Sequence, residues 1–205
     1  MLIQGSVGQP TTVSLQPGTN PTFRQGQLGD VLVSELHGRY YEQAYRQNLF
    51  YGANQAATTV SVALATTYTG IVLSNPAGNM KNLVPTKLMF ALSVAPVGIA
   101  TLGLITGFAS TGITVHTTAL VGASTLIGAG PAPTAKIDSA ATLVGTPVWT
   151  MPIMGGFTAG ALPAGNPIVV DIEGSIIIPP GGYMAIGALT AVIGFGGIFW
   201  EEIPV

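Results

Sequence analysis

The chain has 205 residues, enough for one large domain or for a domain with an extension. Charged residues make up 7% of it and the formal net charge is −2, whereas a soluble domain carries about 25% charged residues. Six dispersed Lys and Arg residues do not form the basic cluster that a nucleic acid backbone requires, and the absence of Cys excludes disulfides, thiolate metal sites and Cys nucleophiles.

The shortage of charge has a consequence for the surface. A folded monomer of 20.8 kDa exposes roughly 9,000 Å². The six basic and eight acidic residues would then stand one per roughly 640 Å². Because low charge and apolar patches favour association, the composition predicts that much of this surface is permanently buried in an assembly.

The first 30 residues are rich in Gly, Pro, Gln, Thr and Ser. This composition predicts an extended arm that becomes ordered only against a partner. The chain starts without a basic segment followed by an apolar run, so we expect no secretion signal at this end.

One helix is predicted, in the segment SELHGRYYEQAYRQNLFYGANQ. Ser34 can cap its start. Gly38 weakens it by about 1 kcal/mol relative to Ala, so we expect about three turns at most. Gly52 suits its end.

The same region concentrates tyrosine and arginine, the residue types that dominate protein–protein contacts. With an aromatic pair near the C terminus they form the predicted interface, which consists of Arg24, His37, Arg39, Tyr40, Tyr41, Tyr45, Arg46, Tyr51, Phe199 and Trp200. The helix has two open interpretations: it packs on the following domain, or it docks on another chain. The predicted boundary separates an arm and helix, residues 1–55, from residues 56–205.

From about Ala56 onward, short apolar runs alternate with turns rich in Gly, Pro, Ser and Asn. Roughly nine strands at this spacing predict an all-β sandwich or barrel. Pro85 predicts a sheet edge or a β-bulge because it cannot donate a backbone hydrogen bond. Pro180 and Gly181 fit the two central positions of a type II turn.

The C-terminal segment GIFWEEI predicts a central strand, because it is apolar on both faces. Alternation places Ile198, Trp200 and Glu202 on one face. Phe199 and Glu201 lie on the other. The two glutamates are predicted to mark the point at which the strand reaches water.

The longest uncharged stretch, residues 88–135, has the length of a membrane segment but not its character. Pro96, several glycines and frequent Thr and Ser interrupt it, and no basic cluster flanks it. These features favour strands and turns, so we expect no membrane partner.

Few residues offer chemistry. His37 and His116 lack metal-ligand spacing, so we predict a polar interface residue and a hydrogen-bonded strand residue, respectively. Asp171 and Glu173 would share one face of a strand, but no further acid, base or sugar platform accompanies them. A calcium role would need more oxygen ligands. We therefore predict no catalytic residue, no metal site and no cofactor.

Several stretches resemble a group of small bacteriophage virion proteins: SELHGRYYEQAYRQNLFYGANQ, LSNPAGNMKNLVPTKL, GSIIIPPGGYMAI and the terminal GFGGIFWEEIPV. The resemblance extends from about residue 34 to the end. It implies a jelly-roll β-sandwich, like that of tumour-necrosis-factor-type trimers, on the phage particle. It supplies no catalytic residues. Pro85 departs from the family pattern, which has a β-former at this place.

Composition and resemblance together predict a non-enzymatic structural protein of the virion, located on the capsid surface. The leading interpretation is a trimeric decoration or cement protein, whose partners are its own copies and the major capsid protein or other virion proteins. The arm and helix would grip neighbouring subunits. The alternatives are a receptor- or glycan-binding module of a head fibre or tail spike, and a small major capsid protein.

Overall fold

The computed structural model describes Gly5–Ser6, Phe23–Arg24 and residues 38–62, 64, 66–113, 115–157, 160 and 167–205. The chain divides into two compact units, Met1–Arg39 and Tyr40–Val205. In the first unit, β1 (Gly5–Ser6) and β2 (Phe23–Arg24) form a short parallel pair.

The second unit contains one short helix and a series of strands. They are α1 (Tyr41–Tyr45), β3 (Leu49–Ala53), β4 (Thr58–Val60), β5 (Thr67–Ser74), β6 (Lys81–Leu92), β7 (Ala100–Phe108), β8 (Val115–Ala119), β9 (Ala123–Ser124), β10 (Lys136–Thr142), β11 (Val148–Phe157), β12 (Ile168–Asp171), β13 (Gly182–Ala188) and β14 (Val192–Pro204).

These strands form two antiparallel sheets. The front sheet has the order β12-β6-β14-β3-β9, with β4 also paired to β14. The back sheet has the order β11-β7-β13-β5-β10-β8. The predicted all-β sandwich with one short helix is confirmed.

The main core contains side chains from both sheets. In the front sheet, Trp200 is fully buried and its ring stacks on Phe50 with 6.2 Å between ring centroids. Leu102, Leu104 and Met184 of the back sheet belong to the same buried cluster. Burial of large apolar side chains such as these contributes about 1.5–3 kcal/mol each and is the main force holding the sandwich together.

The C-terminal strand is central, as predicted, because β14 lies between β6 and β3. Ile198 and Trp200 point into the core, in agreement with the predicted alternation. The prediction that both glutamates reach water is wrong, because Glu202 is 2% exposed. Its carboxylate accepts hydrogen bonds from the backbone of the β9–β10 loop, which replaces water at this end of the strand.

Two predicted backbone features are confirmed. The Gly182 N–H donates to the Pro179 carbonyl over 2.9 Å, and Gly181 has a φ of 91°, so Pro179–Gly182 is the expected turn. Pro85 lies at a shift in the register between β6 and β14, a bulge rather than an edge, because β6 has partners on both sides.

The helix lies within the predicted limit of about three turns, but it ends earlier than predicted. The predicted start at Ser34 lies outside the described residues, and α1 ends at Tyr45. Gln47 has a left-handed φ of 62°, and the Asn48 N–H donates to the Gln43 carbonyl over 3.0 Å, which together end the helix. The strand β3 follows at once, so the predicted helix end at Gly52 is wrong.

This correction also moves the boundary between the two parts of the chain. The sequence predicted it after residue 55. The strand β3 pairs with β14 through backbone hydrogen bonds, and α1 precedes it within the unit Tyr40–Val205. The helix and β3 therefore belong to the sandwich unit.

Candidate functional site: the outer face of the front sheet

The outer face of the front sheet carries a row of apolar side chains. Along β14 the even-numbered residues point into the core, so the odd-numbered ones point outward. The strand registers place outward residues of the neighbouring strands beside them. We call this surface the front face; its apolar members are Tyr51, Ala53, Met89, Ala91, Val169, Ile193, Phe195 and Phe199.

The front face is accessible. Val169 is 51% exposed, Phe195 45% and Ile193 38%. Phe195 lies opposite Ala91 in the neighbouring strand, so little shields its ring. A contiguous group of exposed apolar side chains on a sheet marks a contact surface, since single ones are scattered on ordinary proteins.

An aromatic pair forms the centre of the front face. The rings of Tyr51 and Phe199 stack with 5.7 Å between centroids and 27° between planes. Beside them lies a depression whose walls include Tyr40, Leu49 and Met89. Rigid aromatic rings next to a depression are typical anchors of protein–protein contacts.

Charge is sparse on this surface. Among the described residues that point outward here, Lys87 and Asp171 form an ion pair with 3.5 Å between Nζ and Oδ1. Both side chains are more than a third exposed, so the pair contributes little to stability. Burial raises the pKa of the Glu201 carboxyl above its ordinary value. The chemistry of the front face is therefore that of an apolar packing surface.

The structure places three of the predicted interface residues on or beside the front face, namely Tyr40, Tyr51 and Phe199. Trp200 was predicted with them, but it is fully buried in the core, so its assignment to a surface is wrong. The reason is the alternation of the strand, which points adjacent residues to opposite faces.

The other predicted interface residues lie before β3. Tyr41 and Tyr45 are 46% and 49% exposed and stack with 6.1 Å between ring centroids. The Tyr40 hydroxyl donates to Glu173 Oε1 over 3.2 Å. Of the remaining members, Arg46 is exposed, Arg39 is exposed at the end of the first unit, Arg24 lies in β2, and His37 is outside the described residues.

Sequence reasoning missed Ile193, Phe195 and Met89 as members of the front face. The sequence contains the pattern that places two of them on this face. Extending the alternation of Phe199 toward the N terminus of the strand, two residues at a time, reaches Phe195 and Ile193. Met89 lies beside them because of the register between β6 and β14. Neither the sequence of β6 nor that of β14 specifies this register.

Asp171 and Glu173, the pair of carboxylates that the sequence suggests, have separate environments. Asp171 ends β12 next to Lys87. Glu173 lies in the following turn with a left-handed φ of 49°, so the expectation that the two share one strand face is wrong. Glu173 accepts a hydrogen bond from Tyr40.

His116 is confirmed as a strand residue with a hydrogen-bond partner. Its Nδ1 lies 2.7 Å from Oδ2 of Asp138, which is fully buried. In the part of the chain that the structure describes, no three His, Cys, Asp or Glu side chains come together as a possible metal site.

No helix among the described residues has the length and apolar character to cross a membrane. Comparison with protein-family models, with curated proteins and with solved structures finds no match to this chain.

Proposed function

We propose that this chain is a non-enzymatic structural protein of a bacteriophage virion, a trimeric decoration or cement protein that stabilises the head. The observation that carries the proposal is the apolar front face in a chain with too few charges to cover itself. Exposed apolar surfaces of this kind mark contact sites, and other subunits would cover this one.

The strand order supports a jelly roll. Eight strands form nested antiparallel pairs: the first with the last (β3 and β14), then β5 with β13, β6 with β12, and β7 with β11. A chain folded back on itself and then rolled into two sheets has this nesting. It agrees with the fold that the resemblance to phage virion proteins implies.

The position of the apolar surface supports a trimer. The front face belongs to one sheet, and in jelly-roll trimers each subunit presents one sheet to its neighbours. Three copies packed through this face would cover Phe195, Val169 and Ile193. In a closed ring of three, each contact joins two different patches of neighbouring subunits, and closure leaves no open contact that would propagate.

The oligomeric state tests this step. Size-exclusion chromatography with light scattering should give a mass about three times the 20.8 kDa of one chain. Phe195→Asp places a charge in the covered surface and should yield monomers or aggregates. Val148→Asp is the matched control, since Val148 is 50% exposed in a strand of the other sheet. A monodisperse wild-type monomer at micromolar concentration would contradict the proposed trimer.

The place on the particle needs a second experiment. Quantitative mass spectrometry of purified virions should find the chain in a fixed ratio to the shell protein. Particles made without it should assemble but lose their genome at lower temperature than complete particles. Failure of any shell to assemble would favour a major capsid protein instead.

A further inference from the structure

One end of the sandwich unit is formed by connections whose sequence carries no charged residue. The register pairs Leu92 with Gly194, Ala100 with Phe157, and Leu102 with Ala188, so the connections beyond these residues leave the sheets at the same end. We call this the apolar end; in the part of the chain that the structure describes, it comprises residues 54–62, 64, 66, 93–99, 160, 167 and 189–191.

The sequence of these four connections contains no Asp, Glu, Lys, Arg or His. Along β6 the nearest charged residue is Lys87, five residues before Leu92 and therefore about 16 Å from it. The opposite end, by contrast, holds Lys81 and Glu202 on adjoining strands. Charge is thus segregated along the strand direction.

Large aliphatic side chains are displayed at the apolar end. Among the described residues they are Val62, Leu64, Val94, Val97, Ile99 and Leu189. Their exposed fractions range from 39% for Leu64 to 89% for Val97. The patch continues into the front face through Ile193, whose carbonyl accepts the N–H of Ser93 over 2.9 Å.

Hydrogen bonds hold these loops in place. The Thr190 hydroxyl donates to the Ile99 carbonyl over 2.9 Å, and the Leu189 N–H donates to the Thr101 carbonyl over 3.0 Å. The loop after β6 and the loop after β13 are therefore tied to each other. Because these hydrogen bonds already restrict the loops, their apolar surface would lose little conformational entropy on binding.

The chemistry of the apolar end selects among partners. Without a cation it offers nothing to a nucleic acid backbone. Segments that lie on a lipid surface use Lys or Arg together with Trp or Tyr, and none of these occurs in the four connections. A protein surface that is itself apolar and uncharged is the partner that matches.

We propose that the apolar end is the surface by which the assembled subunits dock on the shell protein of the virion, with the charged end directed toward solvent. This inference rests on the proposed function and adds the orientation and the partner chemistry. In a trimer joined through the front face, three apolar ends would lie side by side and act as one contact surface.

Two matched variants test the proposal. Val97→Asp places a carboxylate at the apolar end, and Met80→Asp places one in a loop at the opposite end, where Met80 is 78% exposed. Both side chains are mostly in water, so neither variant should disturb the core. Each full-length variant is added below saturation to purified particles that lack the protein, and bound copies are counted by quantitative mass spectrometry.

We expect Val97→Asp to reduce bound copies by about tenfold or more, because docking would bury an unpaired carboxylate. Met80→Asp should bind within about twofold of wild type, and light scattering should show trimers for both variants. Val97→Lys should reproduce the loss with the opposite charge.

Other outcomes separate the possible failures. If wild type binds the particles and Val97→Asp binds equally well, the docking surface is wrong while the proposed function stands. If wild type binds phosphatidylcholine vesicles and Val97→Asp does not, the partner is a lipid surface and the protein partner is overturned. If wild type is not found on particles at all, the proposed function fails and this inference fails with it.

Discussion

A single buried carboxylate organises the end of the C-terminal strand. Glu202 Oε1 accepts the N–H groups of Thr134 and Ala135 over 2.8 and 2.9 Å. Its Oε2 accepts the Thr134 hydroxyl at 2.6 Å and the Lys81 ammonium at 3.0 Å. With the Trp200 Nε1–H, 3.5 Å from Oε1, five donors offset the cost of burying this carboxylate, and it fastens the β9–β10 loop to β14 and β6.

Glu202→Gln should therefore destabilise the protein. The substitution keeps the shape but removes the charge that strengthens these bonds, and we expect a loss of about 2–4 kcal/mol in the free energy of unfolding. Urea denaturation at neutral pH measures it. Glu201→Gln is the control, because the adjacent side chain points to the opposite face, and it should change stability by less than about 1 kcal/mol. Equal effects of the two substitutions would contradict the role given to Glu202.

The same carboxylate makes stability depend on pH. Burial alone would raise the pKa of Glu202, but the hydrogen bonds from Ala135, Thr134 and Lys81, with the charge of Lys81, lower it below its ordinary value. Because the folded-state pKa lies below the unfolded value of about 4.3, this contribution is fully present above that pH and is lost as the pH falls through the folded-state pKa. The difference in unfolding free energy between wild type and Glu202→Gln should shrink on acidification. A constant difference from neutral pH to pH of about 3 would contradict the linkage.

Asp138 is the opposite case of a buried carboxylate. It is fully buried, and Oδ2 bonds to His116 while Oδ1 has no hydrogen-bond partner in the described structure. Burial raises the pKa of Asp138, although the bond and charge of His116 and the charge of Lys136 act against that rise. His116 therefore offsets part of the free-energy cost of burying this carboxylate.

A double-variant cycle tests that relation. His116→Ala should destabilise the protein by about 1–3 kcal/mol, because it leaves a buried carboxylate without its partner. Adding Asp138→Asn should recover part of the loss, since a neutral amide costs less to bury than a carboxylate. Urea denaturation at neutral pH measures both variants. If the two losses simply add, the pair does not act as described.

At the scale of elements, β14 depends on glycines in two different ways. A Cβ on Gly194 would lie 2.3 Å from the Ala91 carbonyl oxygen and 2.7 Å from Phe90. A Cβ on Gly197 would meet Met89 Cε at 3.3 Å, Ala53 Cβ at 3.5 Å and the Gly52 carbonyl oxygen at an ordinary contact distance of 3.8 Å. A side chain at Gly194 would therefore collide with the backbone of β6. A side chain at Gly197 would press mainly on side chains of the front face.

Gly194→Ala should therefore destabilise the protein by about 1–3 kcal/mol, through strain between β14 and β6. Gly197→Ala should change stability by less than about 1 kcal/mol, because the methionine end group can shift. Thermal unfolding of the two variants side by side is the measurement. The prediction is wrong if the order of the two melting temperatures is reversed.

Local patterns in the sequence predict the turns, the bulge at Pro85 and the central place of β14, because each depends on a few neighbouring residues. The end of α1 was missed because Gln47 occupies the left-handed position where glycine is usual. Trp200 and Glu202 were misplaced for another reason. A strand apolar on both faces does not reveal which face the second sheet covers. The donors that bond to Glu202 from other segments lie 67 to 121 residues away in sequence.

At the scale of the whole molecule, the two units divide the chain unequally. Every strand pair from β3 to β14 closes within Tyr40–Val205, and so does the front face. Some of the few ionisable groups of this unit bond across strands, as Lys81 does with Glu202 and His116 does with Asp138. Burial of apolar surface inside the sandwich is the main further source of stability.

Deletion of Met1–Arg39 tests this division. Because the sandwich closes its own hydrogen bonds and core, the shortened protein should unfold within about 1–2 kcal/mol of the full chain in urea. Light scattering should still show trimers, because the front face is intact, while fewer copies should remain on purified particles if the first unit grips neighbouring subunits. Loss of trimers on deletion would place the first unit in the core of the oligomer instead, and the front face alone would then be insufficient to hold three copies together.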